Sequence, residues 1–447
     1  MHDRACELFY SIKGGTVDYG YVHAKSSFHS RYGRHYQTGS YPSWSRSNPI
    51  HFVTHSLGGT TVTVMQQLIN EGHFGFENGI HPDMVASVTA VSAPFKGTGF
   101  AYIIGEDRKC APEIEYFSVN SFIVRSVHTL SYFAPLIPSW IPLPDWHRDA
   151  RRMTMTEISF WEYLKQMWRS DWGERKDVIS FDATYEGPVE WERFWNGPRG
   201  KGVKGKEESR TYYRSYVACM TQRASPETTR HVCSWKSNIL ESIFIYFSAH
   251  LLGNFDYGSI RPVPWFMKPR SRSSRAGVAR ARSCGNSGPG NSRELGRSEV
   301  EEEEEGTMFG CGVLDGSEAC VRERDLEGGV GRKNWHGRTG TKVELSEDYY
   351  ANDGVVPLFS QFHPAMPKSK PKPGIWNVCY MPDTTHLSLM PLWRGTRMQK
   401  EFWTELGEWL EVVDEARMES DVEGKASEKV GGKRAPVVPV RSFSRPL

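Results

Sequence analysis

Apolar positions change their period along the chain, and those changes mark its elements. Residues 3–12 read as a helix closed by Gly14-Gly15, and a polar, histidine-bearing segment then runs to Tyr41. Residues 50–54 form a short β-branched and aromatic run that predicts a buried strand. The run breaks at Ser56-Leu57-Gly58-Gly59, and residues 60–68 then carry Val64, Met65 and Leu68 at helical spacing. After the His81-Pro82-Asp83 turn, residues 84–93 are a second buried run. Strand, helix and strand at this spacing form a βαβ unit, which implies a parallel sheet and an α/β fold. Further on, 157–168 and 189–195 read as helices and 210–218 and 374–381 as strands. Phe402, Leu406, Trp409, Leu410 and Val413 give a C-terminal helix one apolar face.

Two stretches depart from this pattern. Residues 112–146 are rich in Phe, Ile, Leu, Tyr, Trp and Pro with few charges, which suits either a helical excursion packed on the core or an apolar lid over a site. Residues 268–348 run through Arg/Ser/Gly-rich sequence, an acidic block at 299–305 and a glycine-rich stretch, and read as a solvated, disordered insertion. It divides a first globular part (1–267) from a second (349–418), and 419–447 reads as a disordered tail.

Composition narrows the function classes. The 447 residues carry a net charge of +2, which argues for neither a nucleic-acid partner nor a polybasic membrane contact. Fifteen Trp, nineteen Tyr and twenty-two Phe suit a large core or a surface that handles apolar ligands. The eight cysteines have no CxxC spacing, so neither a zinc ribbon nor a disulfide framework is indicated. No apolar stretch is long enough and free enough of proline to span a bilayer, and the first ten residues do not resemble a signal peptide, so location stays open.

A serine at a strand-to-helix joint suggests a nucleophile elbow. The sharp turn presents the hydroxyl above the sheet and points the next N–H groups, here starting with Leu57, towards a developing oxyanion. Gly58 and Gly59 give the room such a turn needs, whereas Thr54 stands where a glycine is usual, and its branched side chain is expected to strain the turn. Ser56 would need a general base and an acid, in the chain order serine, acid, histidine. After residue 350 the candidate bases are His386 and His363; the candidate acids are Asp353, in an Asn-Asp-Gly turn, with Asp348 and Asp383 as rivals.

The stretch DRACELFYSIKGGTVDYGYVHAKSSFHSRYGRHY followed by HFVTHSLGG resembles the bacillus and staphylococcal family of secreted, zinc-containing triacylglycerol lipases. The likeness is dense over residues 3–60 and returns in islands at 92–98, 180–195, 351–356 and around His386. It implies an α/β-hydrolase fold with a mostly parallel sheet, a helical lid and a small zinc-binding subdomain in residues 1–41. Ser56 would be the nucleophile, Asp353 the acid, His386 the base and Leu57 an oxyanion donor. The resemblance also implies a structural zinc site at Asp3, His23, His29 and Asp182, with His35 as a rival ligand; two carboxylates and two imidazoles suit zinc.

The chain departs from that family in two further respects. The H-G-F type loop that supplies the second oxyanion donor, and the strand beside the elbow strand, would lie before Asp3 and are expected to be missing. Calcium is not expected, because Leu387-Ser388-Leu389-Met390-Pro391 offers no carboxylate after the base. The expected activity is hydrolysis of lipid esters at a membrane or droplet surface through a Ser-His-Asp acyl-enzyme; the alternative is an impaired or truncated homologue serving as a zinc-containing binding protein.

Overall fold

The computed structural model describes residues 1–76, 79–138, 140–141, 150–189, 210–234, 243–267, 311–312, 345–362, 376–390 and 395–430. In chain order, α1 (His2–Lys13) leads into the antiparallel pair β1 (Gly15–Asp18) and β2 (Tyr32–Tyr36), with α2 (Tyr21–Ser27) between them. The predicted βαβ unit follows as β3 (Ile50–His55), α3 (Leu57–Glu71) and β4 (Val85–Val91). Next come α4 (Val119–Tyr132), α5 (Phe160–Trp168), β5 (Tyr212–Cys219), the antiparallel pair β6 (Thr221–Arg223) and β7 (His231–Cys233), and α6 (Ile243–Gly253). The last elements are β8 (Cys311–Gly312), β9 (Trp376–Pro382) and α7 (Arg397–Val430).

Strands β3, β4, β5 and β9 pair in parallel in that order, and β8 adds to β9 antiparallel. All seven residues of β4 are buried, as a continuous apolar strand inside a parallel sheet should be. Among the described residues β3 is an end strand of this sheet, and its Val53 is 40% exposed.

Helices cover the sheet. On α1 the buried positions His2, Asp3, Ala5, Cys6 and Phe9 lie on one face, and Phe9 stacks on Phe74 at 3.8 Å. That face therefore carries three polar side chains inward along with the apolar ones. Phe402, Leu406, Trp409 and Val413 of α7 bury against Tyr216, Cys379 and Met381, as their spacing predicts. His51 Nε2 and Asp414 Oδ1, 2.9 Å apart, tie β3 to the same helix.

Two boundaries differ from the sequence reading. Helix α7 continues to Val430 instead of giving way after Met418, because 414–430 stays rich in Glu, Ala and Lys, good helix formers, after the apolar face has ended. Leu345 is buried with Tyr349 and Phe359, so packed chain resumes before residue 349. Of the expected insertion, 268–310 and 313–344 lie outside the described residues, as do residues 190–195 of the helix expected at 189–195, part of the apolar segment at 142–149, and His363.

Candidate active site

Strand β3 ends and α3 begins at Ser56, whose backbone has φ +53° and ψ −132°. This is the strained strand-to-helix turn expected of an elbow. Ser56 N–H donates to the Val91 carbonyl at 2.9 Å, which fastens the turn to β4. Gly59 is required: a Cβ there would come within 2.7 Å of Ala93 Cβ and 3.3 Å of Ala90 Cβ, so α3 could not sit against β4. Thr54 is accommodated. It keeps strand pairing with Ala90, and its hydroxyl donates to the Thr89 carbonyl at 3.1 Å. Leu57 is the first residue of α3, where a helix leaves its N–H groups without intrahelical acceptors.

Some 300 residues on in the sequence, two loops bring the other groups to the same end of the sheet. Asp353 is fully buried; its Oδ1 accepts from the N–H groups of Val355 at 2.9 Å and Val356 at 2.7 Å. Its Oδ2 accepts from His386 Nδ1 at 2.8 Å, and the His386 N–H donates to the Asp353 carbonyl at 2.8 Å. The Asn352-Asp353-Gly354 turn is built for this. Asn352 Oδ1 accepts from Gly354 N–H at 2.9 Å, Gly354 has φ +97°, and a Cβ on it would meet Ile245 Cγ2 of α6 at 2.3 Å. The His386 loop is pinned from α7, where Gln399 Nε2 donates to the carbonyls of Ser388 at 2.8 Å and Met390 at 2.9 Å.

His55, immediately before Ser56, links the two halves. Its Nε2 donates to the His386 carbonyl at 2.8 Å, and the two rings lie 4.6 Å apart. Burial, followed by the neighbouring His386, lowers its pKa and keeps it neutral. Of the rival acids, Asp383 accepts from the Ser234 hydroxyl at 3.0 Å instead of facing His386. The sequence reading missed His55, although its place beside the serine was a signal.

The second expected cluster also assembles, with one change of member. His23 Nε2 lies 2.7 Å from Asp3 Oδ1, and His29 Nε2 lies 3.2 Å from Asp3 Oδ2. The fourth group is Asp177, 3.8 Å from His23 and 3.7 Å from His29. One donor atom from each of the four falls within 4.8 Å of all the others. Asp182 is instead drawn to the Arg4 guanidinium at 3.0 Å and the Met1 ammonium at 2.5 Å, because the helical turn Ile179–Asp182 separates it from Asp177. His35 is also elsewhere, on the Thr16 hydroxyl at 2.8 Å. The donor set fits a metal ion: His29 Nδ1 donates to the Ser30 carbonyl at 2.8 Å, which fixes the tautomer with Nε2 turned inward. Burial, then the charge of Asp3, pushes the Asp177 carboxyl up to about 6.

Helices α4 and α5 pack together through stacked Tyr132 and Tyr163, with ring centroids 4.5 Å apart. They leave Phe117, Phe122, Trp161 and Trp168 exposed, Phe117 at 97%. No helix among the described residues is long and apolar enough to cross a membrane.

Comparison with known proteins agrees with this architecture. Residues 1–195 match the family described as lipase-like, C-terminal domain. Lipase 2 of Staphylococcus aureus is 30% identical over 200 residues, covering 42% of this chain and 27% of that protein. The lipase of Staphylococcus epidermidis is 39% identical over 121 residues, covering 24% and 17%. The chain thus spans about a quarter of the length of the first of these relatives. The crystal structure of Staphylococcus hyicus lipase superposes with a TM-score of 0.52 at 17% identity, over 93% of this chain and 83% of that one, which shows a shared fold.

Proposed function

We propose that this chain, which is related to the staphylococcal-type lipases, hydrolyses carboxylic esters of lipids through a Ser56, His386 and Asp353 triad. The observation that carries the proposal is the buried 2.8 Å pair of His386 and Asp353, held against His55 next to a serine on a positive-φ turn. In the reaction, Ser56 Oγ attacks the acyl carbonyl while His386 Nε2 takes its proton, and Asp353 holds the imidazole in the tautomer this requires. The Leu57 N–H donates to the oxyanion. Collapse of the tetrahedral species expels the alcohol, protonated by His386, and water then releases the fatty acid by the same route. The exposed aromatic side chains of α4 and α5 support an apolar lid that meets a lipid surface.

The Asp3, His23, His29 and Asp177 cluster fits a structural zinc ion. With four protein donors no position would be left for substrate, so an ion held there would neutralise the Asp3 and Asp177 carboxylates and join α1, α2 and the segment at Asp177.

The intact chain should cleave nitrophenyl esters of fatty acids and be labelled at Ser56 by a fluorophosphonate, and Ser56→Ala should lose both. Activity that survives in Ser56→Ala would overturn the proposal. So would a folded, zinc-loaded chain that the fluorophosphonate leaves unlabelled, which is the signature of a binding homologue.

A further inference from the structure

A second group of donors with softer chemistry adjoins the Asp3 cluster. His2 and Cys6 stand one turn apart on the buried face of α1, and His73 follows the left-handed Gly72 that caps α3. Cys6 Sγ lies 3.7 Å from His2 Nδ1 and 3.7 Å from His73 Nε2, and the three donor atoms all fall within 4.8 Å of one another. Without a metal, the thiol can donate to one imidazole and accept from the N–H of the other, so each contact has a hydrogen-bonded reading that depends on the tautomers. A shared metal would account for both with one geometry. With metal–sulfur bonds of about 2.3 Å and metal–nitrogen bonds of about 2.0–2.1 Å at tetrahedral angles, sulfur and nitrogen ligands stand roughly 3.6 Å apart.

The surroundings suit a cation. Asp3, Asp18 and Glu7 are the acidic groups that act on Cys6, with the Met1 ammonium opposing them. Gly20, at φ +81°, makes room for the imidazole, since a Cβ there would come within 2.9 Å of His73 Cε1. The Asp18 carbonyl lies 3.2 Å from His73 Nε2, close enough to supply a fourth donor. The His2 ring stacks on His23 at 3.9 Å, and Asp3 Oδ1 lies 3.7 Å from His2 Nδ1 and 2.7 Å from His23 Nε2. One carboxylate thus stands between the two donor sets.

We propose that His2, Cys6 and His73 form a second metal site, distinct from the Asp3 cluster and selective for a thiophilic ion, zinc(II) or copper(I). Binding releases the Cys6 proton to solvent and forms the metal–thiolate bond. It also requires the His73 proton to sit on Nδ1, so that Nε2 turns its lone pair to the metal instead of donating to Asp18.

The test uses the full chain and does not depend on esterase activity. Loaded with cobalt(II), it should show a near-ultraviolet sulfur-to-cobalt charge-transfer band beside the visible bands of an oxygen and nitrogen site. Cys6→Ser should lose the charge-transfer band and one equivalent of metal while keeping the visible bands, and His73→Gln should behave the same way if the serine variant folds poorly. His29→Ala, which disables the Asp3 cluster, should keep the sulfur band. Titration with zinc(II) against a chromophoric chelator, and separately with copper(I) under reducing conditions, identifies the ion. Absence of the sulfur band from wild type together with no retained copper(I), or a band that persists in Cys6→Ser, overturns the site.

Discussion

The acid of the proposed triad is fully buried and the acids of the N-terminal cluster nearly so, but they are held in opposite ways. Asp353 has three N–H donors aimed at its two oxygens, two from its own turn and one from His386. Its charge is matched by groups the fold has already positioned, so the site is electrostatically complete before a substrate arrives. Asp3 and Asp177 are crowded together around two imidazoles, with Arg151 reaching Asp177 at 2.9 Å. Like charges side by side favour a dication, so under the proposed zinc assignment this second region would be a site that folding prepares and a metal finishes. The contrast teaches that burial of a carboxylate says little about its role until its partners are named.

The largest effect should come from spoiling the Asp353 partnership without disturbing its turn. Asp353→Asn keeps an oxygen for the Val355 and Val356 N–H groups but offers His386 an amide, which favours the wrong tautomer. Ester turnover should fall by about 10⁴, roughly 5 kcal/mol in the barrier, while the melting temperature stays nearly unchanged. A turnover within a few-fold of wild type would remove Asp353 from the mechanism.

Chelation should act on the other side of the comparison. If the Asp3 cluster holds zinc at about a thousand times its dissociation constant, stripping the ion removes about 4 kcal/mol of stability. Differential scanning calorimetry with and without chelator should record a lowered melting temperature in wild type and in Asp353→Asn alike, and a smaller drop in His29→Ala, which keeps only the His2, Cys6 and His73 donors. A wild-type chain indifferent to chelator would mean that the protein alone balances the two carboxylates.

Glu106 supplies a third kind of buried carboxylate, fully hidden and with the Ser180 hydroxyl as its polar neighbour, and burial raises its pKa to about 8. The folded state therefore holds a proton that the unfolded chain releases above its ordinary value near 4.5. Stability present below that pH should be lost as pH rises through about 8, by up to about 1.4 kcal/mol per pH unit. Glu106→Gln should flatten that slope in chemical denaturation between those limits; an unchanged slope would show that another group carries it.

How legible these regions were in the sequence follows from how each is encoded. The switch from strand to helical period at Ser56 is local, so the elbow, the βαβ unit and the apolar face of α7 could be read directly. The Asp353 and His386 pairing is remote, and chain order together with family resemblance singled it out from Asp348, Asp383 and His363. Asp177 was missed because two aspartates five residues apart look alike until a helical turn sends one inward and the other to Arg4. His2, Cys6 and His73 were missed because nothing in their spacing shows that α1 turns polar side chains inward against the end of α3.

The smallest effect tests the elbow itself, where the sequence suggested strain. Thr54 sits in regular pairing with Ala90, and its Oγ1 is 3.4 Å from where a Cβ on Gly59 would stand, an ordinary van der Waals distance. Its hydroxyl satisfies the Thr89 carbonyl across the strands, so the branched residue acts as a tie between β3 and β4 and not as a wedge. Thr54→Ala should therefore destabilise the fold, by about 1 kcal/mol for the lost hydrogen bond, with ester turnover close to wild type. A gain in stability would mean that the elbow carries strain from the methyl group after all. Ser56 would then owe part of its geometry to a compromise with its own strand, in contrast to the unstrained cradle around Asp353.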